Sequence, residues 1–237
     1  MSGFSNSPKI LKGAFVEYGI SIPPLIVPFQ FNPVTISRDR TNKFNVPGYI
    51  QQWSKEQGGG NISLREYHQR EECGKLENLR DLQDVKVGSE TISFDIRLDA
   101  TDKLDEGDPI AQQFGIAPQL STLELMMYPK EESLAGLAIS ELLGPTAGHT
   151  FVGTEKPPMI LFIWGRKKVL PVNFTSMKVK EEEFSTDLNP IRATISVSLT
   201  VIEGPSAPYQ YSKAMKETMS ALNLANLTEV ANVIVPL

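Results

Sequence analysis

"PPMILFIWGRKKVLPVNFTSMKVKEEEF" runs from Pro157 to Phe184, and how it pairs decides the fold. Met159 to Trp164 has no polar face, which predicts a strand buried on both sides. Gly165 breaks that run, and Arg166, Lys167 and Lys168 cap a turn. The return arm, Val169 to Phe184, outruns the usual strand of about 5 to 6 residues. Its far half alternates Met177 and Val179 with Lys178 and Lys180 before turning acidic at Glu181, Glu182 and Glu183. It must project or bend. A projecting strand carries unpaired N–H and C=O groups that invite a neighbouring chain, and head-to-tail pairing of this kind closes into rings.

Working outward, the flanking text supplies more strands. In "ETISFDIRLDA" the residues Ile92, Phe94, Ile96 and Leu98 alternate with Thr91, Ser93, Asp95 and Arg97, so one face is buried and the other wet. "ATISVSLTVIEG" repeats the pattern with Ile195, Val197, Leu199 and Val201 inward and Thr194, Ser196, Ser198 and Thr200 outward. Prolines 23, 24, 28 and 33 forbid a helix near "IPPLIVPFQFNPVTISRDR", where Leu25 to Phe31 is expected as an edge strand. "APQLSTLELMMYP" places Leu120, Leu123, Leu125 and Met127 on a helix that covers the sheet and ends at Pro129. Met215, Met219 and Leu222 give a C-terminal helix.

These elements divide into an N-terminal arm (1–20), a β domain (21–205) and a C-terminal helical tail (206–237). A polar stretch over 46–88, with a glycine triplet at 58–60 and scattered apolar residues, reads as a long insertion. A structureless loop of that length is improbable unless it makes contacts, because most connections are about 4 to 6 residues. Trp53, Tyr67, Leu76 and Leu79 are its candidate partner-contact residues.

A chain of 237 residues with 41% hydrophobic content can build a proper core, and a formal charge of −5 argues against broad capture of nucleic acid or of an anionic membrane. The single cysteine, Cys73, excludes an intrachain disulfide framework and suits cytoplasmic folding. No run approaches the roughly 20 apolar residues of a membrane span, and no targeting signal is visible.

Catalysis needs clustered titratable groups, and the two histidines, His68 and His149, stand apart without an obvious partner. His68 with Glu71, Glu72 and Cys73 is the nearest approach to a metal-ligand cluster, and a solvated charged helix or loop is its ordinary reading. The runs Glu131–Glu132 and Glu181–Glu183 fit a solvated surface better than an acid/base pair, since adjacent residues of a strand point to opposite faces. No G-x-S-x-G, Walker-type or dinucleotide glycine pattern occurs. The sequence therefore implies no catalytic residue, no cofactor and no metal. The basic triplet 166–168 is either a solvated turn or one segment of a ring of positive charge around an axis.

Five ordered blocks carry a resemblance: "PLIVPFQFNPVTISRDR", "ISFDIRLDATD", "FGIAPQLSTLELMMYP", "PPMILFIWGRKKVLPV" and "LNPIRATISVSLTVIEG". With the "FQFNP", "P-x-x-x-F-x-WG" and "NP-x-RA" elements, the chain resembles the tube-like proteins of contractile phage tails and contractile injection systems, in particular the baseplate tube-initiator (LysM-associated adaptor) family. The resemblance spans most of residues 20–205.

It implies a mainly β (α+β) tail-tube-like fold, two packed antiparallel sheets with a flanking helix and a long projecting hairpin, and no enzyme activity. It implies a hexameric ring of the protein itself, at the baseplate end of the inner tube, joining a spike protein to the next tube layer inside a phage tail-like particle assembled in the cytoplasm. Trp164, Gly165, Arg166, Lys167, Lys168, Met177 and Val179 would form the inter-subunit hairpin, and the polar insertion would reach spike, sheath or baseplate proteins. No nucleic acid and no membrane insertion are expected. Relatives often continue into a LysM module, for which too few residues follow Gly204. An inner-tube or tube-cap component is the alternative within the family. From another class comes a carbohydrate- or ligand-binding β-sandwich using Tyr49, Trp53 and Trp164.

Overall fold

The computed structural model describes residues 11–19, 24–128 and 157–223. The chain divides into a larger unit, residues up to 37 and from 92 onward, and a smaller one, Arg38–Thr91.

In the larger unit, β7 (Ile160–Trp164) turns at Gly165, whose φ of +64° suits glycine, and returns as β8 (Lys168–Phe184). β7 pairs with the first five residues of β8, Trp164 opposite Lys168 and Ile160 opposite Val172. On its other edge β8 pairs with β9 (Pro190–Val201), from Val172↔Val201 to Phe184↔Pro190, with one bulge between Phe174 and Ser176. The hairpin expected around Gly165 is present. The long return arm is not unpaired, however, because β9 accompanies it along its whole far half.

β1 (Ala14–Glu17), β2 (Ile26–Pro28), β6 (Thr91–Asp99) and β3 (Ser37–Asp39) complete a seven-stranded sheet in the order β2-β1-β7-β8-β9-β6-β3. The alternations of β6 and β9 fall as their sequences dictate, with Ile92, Phe94, Ile96, Leu98, Ile195, Val197, Leu199 and Val201 all buried. The segment 14–17, expected in an arm, is an interior strand with Phe15 fully buried. The strand expected over 25–31 is shortened to Ile26–Pro28, although Phe29 still donates its N–H to the Gly13 carbonyl at 2.8 Å.

The core shows that this sheet is rolled. Phe15 of β1 stacks on Phe94 of β6 with ring centroids 6.1 Å apart, although the two strands are four steps apart in the sheet order. A flat sheet would separate them by about 19 Å at about 4.8 Å per strand. Curling brings them face to face, and Phe29 and Phe162 complete the cluster. The two packed layers expected from the sequence are thus opposing parts of one curled sheet, and the mainly β, α+β class holds. The second sheet, antiparallel and two-stranded, lies in the smaller unit.

Side-chain amides close the roll. Gln30 donates its Nε2 to the Asp99 carbonyl and accepts the Asp99 N–H on Oε1, at 2.6 and 2.9 Å. Asn32 does the same for Leu11 and Gly13, at 2.9 Å each. The polar positions of "FQFNP" therefore replace missing ladder rungs.

Three helices follow β6: α4 (Thr101–Asp105), α5 (Pro109–Phe114) and α6 (Ala117–Leu125). Asp108 caps α5 by accepting from Ile110 and Ala111 N–H, with Pro109 at the first helical position. α6 buries Leu120 and Leu123 as the helical spacing predicts, but it ends at Leu125, which is exposed, so Met127 lies beyond the helix and Met126 is the buried methionine there. Pro129 lies outside the described residues. α7 (Ala207–Asn223) packs on β8.

The smaller unit is not a loop. It contains α1 (Gly48–Glu56), α2 (Leu64–His68), a 3-10 turn (Glu71–Cys73), α3 (Leu76–Leu82) and the ribbon β4 (Asn42–Asn45) with β5 (Asp84–Val87). Val46, Ile50, Tyr67 and Cys73 form its core. Ser63 and Glu66 make a reciprocal capping box on α2, and Gln51 exchanges two hydrogen bonds with the backbone of Ile62. Buried Glu90 receives Arg38 and Arg40.

Candidate assembly surfaces

The first surface is the flank of β8. Ile202 donates its N–H to the Pro171 carbonyl at 2.8 Å, while Ile191 accepts at its carbonyl from Ala100 at 2.9 Å. Backbone groups alternate along an antiparallel strand, so even-numbered residues of β9 address β8 and odd-numbered ones address β6. Met177, Val179 and Glu181 lie opposite Val197, Ile195 and Ala193, all odd. Their own N–H and C=O groups therefore point away from β9. β7 has ended by then, and among the described residues no strand occupies that side of β8 beyond Val172. The side chains of Met177 and Val179 lean on the core, leaving the backbone as the available feature.

The second surface is the β7–β8 turn. Trp164 is half-buried against Phe29 and Phe162, at 6.5 and 6.2 Å between ring centroids, so it is a packing residue and not a stacking platform. α7 locks the turn: Ser212, buried, accepts from the Val169 N–H and donates to the Val169 carbonyl, and the Tyr211 hydroxyl donates to the Arg166 carbonyl at 2.7 Å. Between α7 and the turn lies a groove of about 640 Å³, floored by Trp164, Met215 and Met219 and rimmed by Arg166, Lys167 and Lys168. The structure thus splits the expected hairpin set in two. Trp164 to Lys168 sit at one end of β8, and Val179 lies about 36 Å further along at about 3.3 Å per residue.

The third surface is the β8–β9 tip. Glu183 and Leu188 have φ of +56° and +61°, a conformation that side chains adopt at a cost. The tip is anchored to the helices: Asn189 donates to the Gln113 carbonyl at 2.8 Å, and Ile116 N–H donates to the Pro190 carbonyl at 2.9 Å. Arg192 ties Asp99 and Glu183 together at 2.8 and 2.7 Å. Asn189, Pro190 and Arg192 of "NP-x-RA" are structural ties.

Partial burial pushes the Asp99 carboxyl up, but the Thr101 hydroxyl and N–H and the Arg192 guanidinium outweigh it and hold Asp99 below its ordinary range. The Asp99 hydrogen bond raises Arg192 in turn. A depressed acid stabilises the fold above its unfolded value of about 3.9 and loses that contribution as pH falls through the lower folded value. Unfolding free energies from urea denaturation, measured from about pH 5 down to about pH 2, should fall by on the order of 1 kcal/mol more in the wild type than in Asp99→Asn. Equal slopes would remove Asp99 from the acid sensitivity.

In the smaller unit the structure divides the expected contact set. Trp53 is 53% exposed and lies under Arg70 at 5.4 Å, and Leu76 is 82% exposed. Leu79 packs against the core. Tyr67, 1% exposed, is itself core and is withdrawn as a contact residue. Sequence reasoning missed Phe44, Val85 and Val87, which the β4–β5 ribbon leaves exposed. Their alternation with Lys43, Asn45 and Lys86 is the signal that could have found them.

No group of three His, Cys, Asp or Glu side chains that could hold a metal exists among the described residues. His68 is exposed beside Gln83 at 3.3 Å, and Cys73 is buried. His149, Glu131 and Glu132 lie outside the described residues. Among those described, no helix is long and apolar enough to cross a membrane.

Comparison with known proteins gives one family: the model described as contractile injection system tube protein matches residues 21–207. No curated protein matches the chain.

Proposed function

Since the chain belongs to the contractile injection system tube protein family, we propose that this structural tube component acts as a hexameric ring at the baseplate end of the inner tube, joining the spike to the tube. The observation that carries the ring is the open flank of β8, where Met177, Val179 and Glu181 present N–H and C=O groups to no strand among those described. A neighbouring copy adding a strand there would satisfy them and would repeat around a ring. Trp53 and Leu76, both exposed, offer the smaller unit's contact to a spike, sheath or baseplate protein. The work is done by assembly in the cytoplasm and stacking, with no catalytic step and no cofactor.

The family's description as a tube protein favours a second reading, in which the chain is a repeated inner-tube or cap component. Copy number separates the two. Electron microscopy of particles with this subunit located should show one six-fold ring per particle at the baseplate end. Many stacked copies would transfer the assignment to the tube itself. A monomer in the particle, or a saturable sugar ligand on a monomer, would remove the ring altogether.

A further inference from the structure

We propose that the groove between α7 and the β7–β8 turn receives the acidic β8 tip of a second copy of this chain, so that copies join end to end. The groove combines an apolar floor, Trp164, Met215 and Met219, with the cationic rim of Arg166, Lys167 and Lys168. Methionines adapt to the shape of an inserted side chain, and a cationic rim selects an acidic guest.

The chain carries a guest of that description. At the far end of β8, Glu181, Glu182 and Glu183 are followed by Phe184, an aromatic ring 50% exposed. Glu182 is engaged by Lys180 and Glu183 by Arg192. Glu181 makes no ion pair within the described residues. One phenyl ring suits the floor, and the Glu181 carboxylate, three residues before it, suits the rim.

One molecule cannot make this contact with itself. Groove and tip lie at opposite ends of β8, about 53 Å apart at about 3.3 Å per residue, and the pairing with β9 keeps the far half of β8 extended. The contact is therefore between copies and heterologous, the type that builds closed rings or open stacks. It uses the ends of β8 and not its flank, so it stands or falls separately from the strand-addition reading.

The test is zero-length carbodiimide cross-linking of the full chain, assembled from equal amounts of unlabelled and nitrogen-15-labelled protein and read by peptide mass spectrometry. The expected product is a mixed-isotope amide between Lys167 or Lys168 and Glu181. Links from the two lysines confined to residues 224–237 of the same chain, or no links at all, would overturn the proposal. Arg166→Glu with Lys167→Glu should weaken self-association about tenfold, as should Glu181→Lys, and mixing the two variants should restore it. Failure to restore would sink the idea even if each variant alone is defective. In the Val179→Pro chain the Lys167–Glu181 link should persist after the ring is lost. Its disappearance there would deny the end-to-end contact its independence.

Discussion

Val179→Pro is expected to abolish ring assembly and leave the subunit folded. Val179 sits opposite Ile195 with its N–H turned away from β9, so the substitution removes no rung inside the molecule. Proline is tolerated on an edge strand whose N–H faces outward. Outside the molecule it deletes one donor and sets a pyrrolidine ring where a neighbour's strand would lie. Each interface should lose about 1–3 kcal/mol for a donor that no longer meets its acceptor, and a closed ring repeats the loss at every contact. Native mass spectrometry should show the six-fold ring lost, with the circular dichroism spectrum unchanged. The same change at Lys178, whose N–H addresses β9, should destabilise the fold itself. Rings of normal abundance in Val179→Pro would show that the flank of β8 is not the joint.

The second large effect is on stability. Gly115 ends α5 with φ of +57°, and a β-carbon there would lie well inside the contact distance of the Pro190 carbonyl oxygen and 3.0 Å from the carbonyl carbon. The obstacle is backbone, which cannot swing aside as a side chain can. Gly115→Ala should force the α5–α6 connection off the β8–β9 tip and break the hydrogen bond from Ile116 to Pro190. We expect a loss of about 3–5 kcal/mol, combining backbone strain with an orphaned hydrogen bond. That is a large part of the total of about 5–15 kcal/mol for a typical domain. Urea denaturation measures it. A loss under about 1 kcal/mol would mean that the tip is not anchored there.

Much of this architecture was legible from local pattern. The alternations in β6 and β9 were reliable because one face of each is buried by the roll and the other is not, so period two survives in the text. The turn at Gly165 was legible from the abrupt end of an apolar run. The roll itself was not, because it rests on contacts between distant strands, Phe15 with Phe94 and Gln30 with Asp99, that leave no periodic trace. The smaller unit was hidden for a related reason. Its core is four residues dispersed over 46–73, and its stabilising groups, Gln51, the Ser63–Glu66 box and buried Glu90, are polar and look like solvated filler. Tyr67 misled because an aromatic in polar surroundings looks like a contact residue until its neighbours are known.

The candidate surface was half legible. Length alone marked β8 as unusual, and Met177 and Val179 do border its open flank. That β9 would line the other flank, and that α7 would clamp the turn through Ser212, could not be read from spacing.

The pairing of β8 along nearly its entire length has a mechanical consequence. A force directed along the strand loads the rungs from Val172 to Phe184 simultaneously, in shear, and they resist together. A force across it at β7 meets only five residues and can peel them in succession. The subunit is accordingly stiff along β8 and tearable across β7.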